Sequence, residues 1–304
     1  MYDVVIIGAG PAGLSASIYA KRAGLSAVTV EQSTMSGGQV LTTYEVDNYP
    51  GFPGINGFDL GMRFREHADG LSCEFQEAEV LRVEESGDGY LVTTSKGELK
   101  TKTIVAAMGA EHAKLNIPGE EELAGMGVSY CATCDGNFFR DKDVIVVGGG
   151  DSAAADVVYL CRIAQTVHLV HRREELKASP WYAKQLKGIE NLVVHWNCIV
   201  SDVLQEEGRV SGARLESVLT GETSTIRAQG IFVAIGTRPD TAWLDGIVEL
   251  DESGYIVADE GGATSVLGLF AAGDVRTTPL RQVVTAVSDG ALAAEAAASF
   301  LSSC

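Results

Sequence analysis

The chain has 304 residues, 46% of them hydrophobic, and carries 41 Asp and Glu against 23 Lys and Arg for a formal net charge of -18. That apolar content excludes a disordered chain and suffices for two ordinary cores, while the acidic balance disfavours nucleic acid and anionic membrane surfaces as partners. Six cysteines, of which only Cys131 and Cys134 are close in sequence, fit a reducing cytosol better than a secreted disulfide framework.

Met1-Tyr2-Asp3 runs straight into an apolar strand with no basic leader, and no apolar run reaches membrane-spanning length, so a soluble cytoplasmic protein is expected. Val4-Val5-Ile6-Ile7 reads as a strand, Gly8-Ala9-Gly10-Pro11-Ala12-Gly13 as a tight turn, and Leu14, Ile18 and Tyr19 as the start of a helix that Gly24 ends. Glycines in such a turn let backbone N–H groups approach a pyrophosphate at the helix N-terminus. A second strand, Ala27 to Val30, delivers Glu31 about 20 residues after the turn, where a carboxylate accepts adenosine ribose hydroxyls. These features predict a dinucleotide site. Further on, Val80 to Val92, with Gly87-Asp88-Gly89 between two alternating runs, predicts a hairpin covering the first sheet.

Cys131-Ala132-Thr133-Cys134-Asp135-Gly136 forces two thiols and an acid together. A Cys-x-x-Cys turn at a helix start lowers one thiol pKa to roughly 3.5–7.5, leaving a reactive thiolate at neutral pH. Asp135 is then placed to return a proton to the leaving thiolate. Half of a zinc site is the competing reading. Zinc needs four N or S ligands, however, and Cys73, Cys161, Cys198 and Cys304 form no second close pair, so no metal is expected.

Asp143 to Val147 repeats the strand pattern, followed by Gly148-Gly149-Gly150-Asp151-Ser152-Ala153 and a helix through Val157, Leu160 and Ile163. The next strand, Val167 to Val170, ends on His171-Arg172-Arg173, with Lys177 one turn on. A carboxylate there would repel a 2′-phosphate, whereas two arginine contacts favour NADP over NAD by roughly 3–6 kcal/mol. Near the end of the chain, Leu269 to Ala272 delivers Gly273-Asp274, an acid placed to hold the hydroxyls of a ribityl chain, which favours a flavin in the first site. Pro279 to Gln282 opens a helix through Val283, Ala286, Val287 and Ala291, whose positive end stabilises negative charge on a reduced flavin; Arg281 and Gln282 are the site candidates at its start.

The strand-turn-helix duplication predicts an α/β protein with two Rossmann-like doubly wound nucleotide-binding domains, the second inserted into the first. Asn116-Ile117-Pro118-Gly119 and Thr237-Arg238-Pro239-Asp240 carry the Pro and Gly expected at the crossings. The flavin domain is placed at 1–114 and 242–304, and the NADP domain with the thiols at 115–241.

Along essentially its whole length the chain resembles the bacterial low-molecular-weight thioredoxin reductases. The resemblance is carried by Gly8 to Gly13, Glu31, Gly37-Gly38-Gln39, Asp47-Asn48-Tyr49-Pro50-Gly51, Tyr130 to Gly136, Gly148 to Ala153, His171 to Arg173, and Gly273-Asp274 with Arg281-Gln282. It implies FAD in the first site, with Gln39 and Asn48 against the flavin, and gives Val80, Gly109 and Val283 a place in that site. It also implies NADPH in the second site, a homodimer, and an inserted domain that rotates to present first the nicotinamide and then the dithiol to one flavin. A Cys131–Cys134 disulfide follows from it, with Cys134 facing the flavin, Cys131 attacking the disulfide of thioredoxin, and Asp135 as proton donor or acceptor. Phe138 and Phe139 are expected in the docking loop, with core packing the alternative for Phe139.

Three positions depart from the family pattern. Ala155 stands in place of an acid, Lys177 in place of an arginine and Met108 in place of a threonine, changes that weaken NADPH binding without abolishing it. Cys304 raises a third-thiol relay as a lesser possibility. Two other functions compete: a related flavin-dependent disulfide reductase or dithiol oxidase with another electron donor or substrate, and a non-catalytic flavin redox sensor.

Overall fold

Val4 to Ile7 are four consecutive β-branched residues, all buried, the pattern of a parallel strand covered on both faces. The computed structural model describes every residue except Tyr44, Glu45, Asp47, Asp245 and Cys304. Asp47 of the Asp47-to-Gly51 motif and the Cys304 thiol therefore lie outside the described residues.

In chain order, β1 (Tyr2–Ile7) leads into α1 (Pro11–Arg22), β2 (Ala27–Glu31), α2 (Gly57–Gly70), β3 (Glu74–Glu77), β4 (Val80–Ser86), β5 (Gly89–Thr94) and the long β6 (Gly97–Ala106). Pro11 starts α1 at a position whose N–H has no intrahelical partner, and Gly24, at φ +76°, ends it. Asn56 caps α2 by accepting from the Phe58 N–H. There follow β7 (Ala110–His112), β8 (Val128–Ser129), the one-turn α3 (Ala132–Asp135), β9 (Asp143–Gly148), α4 (Asp151–Leu160), β10 (Thr166–His171), α5 (Pro180–Leu186) and β11 (Leu192–Trp196). Strands β12 (Cys198–Glu206), β13 (Arg209–Ser217), β14 (Thr223–Arg227), β15 (Gly230–Ala234), β16 (Thr237–Pro239) and β17 (Leu269–Ala271) precede the final helix α6 (Val283–Ser303).

The chain divides into two compact units, Met1–Glu111 with Arg238–Cys304, and His112–Thr237. The first crossing precedes the Asn116-to-Gly119 segment. The Glu120 carboxylate accepts from the Leu115 and Asn116 N–H groups, and Val203 N–H donates to the Pro118 carbonyl, so that segment is built into the second unit.

The first unit holds a sheet ordered β3-β2-β1-β6-β5-β4, with β17 also on β6. The hairpin β4-β5 continues this sheet and does not cover it. Because β6 is ten residues long, Gly97–Thr101 pairs antiparallel with β5 while Ile104–Ala106 pairs parallel with β17 on the same side. The second unit holds a parallel sheet ordered β11-β10-β9-β15-β8 and a separate antiparallel sheet β12-β13-β14. In both units the strand before the glycine turn sits centrally, with the next two parallel strands (β2 and β3, or β10 and β11) on one side and β6 or β15 on the other, as in a Rossmann-like doubly wound domain. One core of the second unit lies between its two sheets, around Val200, Leu215 and Ile231; the other lies under α4, around Val157, Leu160 and Leu169.

Two helix expectations shift at their ends. α6 starts at Val283 and not at Pro279, because Gln282 caps it: the Gln282 carbonyl accepts from Ala286 N–H, and Thr285 Oγ1 accepts from Gln282 N–H. α4 stops at Leu160, leaving Ile163 in the following turn, where it still packs against the core under α4.

Candidate active site and nucleotide turns

Cys131 is the N-cap of α3 and is joined to Cys134 by a disulfide across one helical turn. Ser129 organises the turn: its hydroxyl accepts from Cys131 N–H at 3.1 Å and donates to Asp135 Oδ2 at 2.6 Å, while Asp135 N–H donates to the Cys131 carbonyl at 3.1 Å. Burial pushes the Asp135 carboxyl above the usual range, and the Ser129 hydrogen bond pulls it partway back. Its Oδ1 is buried with no hydrogen-bond partner among the described residues, so the acid has a site from which to give or take a proton. Behind it, Tyr130 donates to Glu120 Oε1 at 3.1 Å and stacks on His112 with 5.5 Å between ring centres. Phe139 packs edge-on against Phe232 at 5.3 Å, and Gly230 has no side chain because that ring occupies its space; Phe138 is half-buried.

In the first unit, a side chain on Gly13 would sit 1.8 Å from the Gly8 carbonyl oxygen, so strand and helix meet closer than any other residue permits. Nothing within 3.8 Å meets a Cβ built on Gly10, and no side chain caps α1 there. Gly37 N–H donates to the Ala9 carbonyl at 2.8 Å, which brings Gly38 over Gly10. Glu31 holds the rim, with Oε2 accepting from Ala9 N–H at 2.7 Å and Oε1 from Ser33 N–H at 2.9 Å. An uncapped helix start under an open glycine backbone suits a pyrophosphate.

The distant segments converge here. Asn48 donates to Gln282 Oε1 at 2.8 Å, and Gln39 donates to the Ala110 carbonyl. Asp274 is half-buried and, among the described residues, makes no hydrogen bond; burial pushes its carboxyl up to about 6 against the pull of Arg281. The Arg281 guanidinium lies 4.1 Å over the Tyr255 ring, its Nε buried without a hydrogen-bond partner among the described residues. A hydroxyl-bearing chain donating to Asp274 would answer that lone carboxyl, so these residues fit a flavin's ribityl group. Gly109 stands in open space, Val80 packs on the sheet core, and Val283, the first residue of α6, packs with Val40, Val46 and Leu60.

In the second unit the glycine turn is again uncapped at Gly150, with open space above it. His171 does not face solvent. It is 8% exposed, its ring fills the space a Gly149 side chain would take, and its Nε2 lies 3.0 Å from the Glu175 carbonyl. Its role is to shape the turn, leaving Arg172, Arg173 and Lys177 exposed around it. The basic loop is tied down at two points, Lys177 N–H to the Gly149 carbonyl at 2.7 Å and Ser179 N–H to Asp151 Oδ1 at 2.5 Å. Asp151 is therefore engaged by the loop, while Ser152 is exposed beside it and Gly148 packs on the Ala234 carbonyl.

Two supporting residues escaped the sequence reading. Ser129 lies just outside the Tyr130-to-Gly136 motif, and its only signal is a hydroxyl two residues before a cysteine that caps a helix. Asp289 accepts from Gly273 N–H at 3.2 Å and from Arg276 Nη1 at 3.0 Å, fixing the turn that carries Asp274. An acid within the first two turns of a mostly apolar helix was its trace.

Residues 2–290 match the pyridine nucleotide-disulphide oxidoreductase family. The chain is 41% identical to the thioredoxin reductase of Bacillus subtilis, over 97% of this chain and 93% of that one. It is 43% identical to that of Treponema pallidum, over 99% and 97%. The solved thioredoxin reductase of Streptococcus pyogenes superposes with a TM-score of 0.92 at 39% identity, over 100% of this chain and 99% of that one.

Proposed function

The chain belongs to the pyridine nucleotide-disulphide oxidoreductases and, within them, to the thioredoxin reductase family, and on that premise we propose that it carries electrons from NADPH through FAD and the Cys131–Cys134 disulfide to oxidised thioredoxin. The observation that carries the reading is the disulfide closed on the first turn of α3, with a half-buried acid beside it. In this reading the Gly8-to-Gly13 turn and Glu31 hold the adenosine diphosphate of FAD, Asp274 takes the ribityl hydroxyls, and Gln39, Asn48, Arg281, Gln282 and Val283 lie at the flavin end. Arg172, Arg173 and Lys177 take the 2′-phosphate of NADPH. Bound FAD supplies a two-electron relay between nicotinamide and disulfide, chemistry no side chain of the chain performs.

The chain's own residues do the rest. Two electrons break the bond between Cys131 and Cys134, and Asp135, whose carboxyl burial pushes toward holding a proton, delivers a proton to one of the two thiolates formed. The other, Cys131, attacks one sulfur of the thioredoxin disulfide and expels the second as a thiolate. Cys134, deprotonated again by Asp135, then attacks Cys131, restoring the disulfide and releasing thioredoxin with both sulfurs reduced as thiolates, which take their protons from solvent. Family membership supports a homodimer, and the composition supports a cytoplasmic protein.

Anaerobic mixing of the yellow protein with NADPH or NADH, followed by flavin absorbance, and then with thioredoxin and a chromogenic disulfide, tests this. Bleaching is expected to be faster with NADPH, with turnover lost in Cys131→Ser and Cys134→Ser. No bleaching by either nucleotide would overturn the NADP assignment, and turnover surviving in both serine variants would overturn the dithiol route.

A further inference from the structure

Trp181 is 61% exposed, an unusual place for the largest apolar side chain, and it stands two residues beyond Ser179. Ser179 N–H is fastened to Asp151 at the start of α4, and Lys177 N–H to the Gly149 carbonyl. Two peptide units span at most ~7 Å, so the Trp181 backbone is held beside the glycine turn and the basic loop. Tyr182 packs on its indole in a T-shaped pair, with ring centres 4.7 Å apart and planes at 81°, an arrangement that occupies at most one face of the indole. The other tryptophan of this unit, Trp196, makes a T-shaped pair with His171, ring centres 6.2 Å apart.

We propose that Trp181 is a stacking platform for the adenine ring of the dinucleotide, and so a determinant of nucleotide affinity. The inference rests on the NADP reading of this turn. The basic loop follows the second strand of its unit, where a doubly wound site reads the adenosine ribose, and adenine is attached to that ribose. An exposed indole on the first turn of α5, directly after the tethered loop, therefore belongs to the adenine end and not to the nicotinamide end. A base stacks on an aromatic face without needing a matched hydrogen bond, and Lys177 supplies a charge without the planar fork of an arginine. The indole offsets what Lys177 lacks.

Calorimetric titration of the flavin-loaded protein with NADP and with 2′,5′-ADP, on wild type, Trp181→Ala, Trp181→Phe and Arg172→Ala, tests this. Trp181→Ala is expected to weaken both ligands about tenfold, the lower part of the range for base–aromatic stacking, with KM for NADPH raised and kcat unchanged. Trp181→Phe should restore most of the affinity, and quenching of indole emission by NADP should be lost in that variant. If Trp181→Ala binds both ligands as wild type while Arg172→Ala is weakened, the platform falls and the NADP reading stands. If wild type binds neither ligand, both fall. A raised KM for thioredoxin with unchanged nucleotide affinity would overturn the platform and assign Trp181 to protein docking.

Discussion

Burial and Ser129 act on the Asp135 carboxyl in opposite directions, burial raising its pKa and the Ser129 hydrogen bond lowering it. Asp135→Asn is expected to lower thioredoxin turnover about a hundredfold, the usual scale of one positioned acid, while NADPH still bleaches the flavin. Steady-state assay beside stopped-flow absorbance checks both. Ser129→Ala removes the bond that lowers the Asp135 pKa, so the acid holds its proton to higher pH and the alkaline limb of the pH–rate profile should move upward. Asp156, half-buried on α4 beside Ala155, is pushed up to about 7 by burial. A carboxyl whose folded pKa is raised favours folding while protonated, and loses that contribution as pH rises from its unfolded value, near 4, through about 7. Melting temperature should therefore fall between pH 5 and pH 8, and Asp156→Asn should raise it at pH 8 by about 3–6 °C, read by thermal unfolding at the two pH values. Spacing alone revealed the two cysteines and the acid. Ser129 and the wedged His171 were hidden, since a hydroxyl or an imidazole carries no signal until its neighbours are in place.

At the scale of elements, the joint between α1 and α6 decides whether the first glycine turn is held. A side chain on Gly290 would lie 2.0 Å from the Ala12 carbonyl oxygen, and Ser15 Oγ donates to the Val287 carbonyl at 2.7 Å. Gly290→Ala forces the helices apart and should cost about 1–3 kcal/mol, lowering the melting temperature and the fraction of flavin retained after gel filtration. β1, α1 and β2 were legible because apolar β-branched runs, a glycine turn and a helix-ending glycine are local signals. The hairpin's place in the sheet was not, because one edge of β6 serves both β5 and β17, residues far apart in sequence. The start of α6 was misjudged for a similar reason: Pro279 suits a first turn, but Gln282 and Thr285 form the cap.

At the scale of the whole molecule, the two units have separate cores, one set around Val5, Ile104 and Ala16, the other around Val146, Leu160 and Leu215. Ligands should therefore stabilise them separately. NADP at a hundred times its Kd adds about 2.7 kcal/mol to the unit that binds it, raising that unit's transition by roughly 10 °C. Differential scanning calorimetry with and without NADP checks this; a uniform shift of all transitions would contradict separate cores.

The sequence by itself determined both strand-turn-helix units, the redox pair with its acid, and the charge pattern after β10, because each is written within about 30 consecutive residues where local geometry dictates the chemistry. Tertiary structure alone decided that Asn48 meets Gln282, that Asp289 fixes the Asp274 turn, that Ser129 joins Cys131 to Asp135, and that His171 packs while Arg172 and Arg173 stay exposed. These contacts depend on close packing and on the pairing of buried polar groups between segments that only the fold brings together.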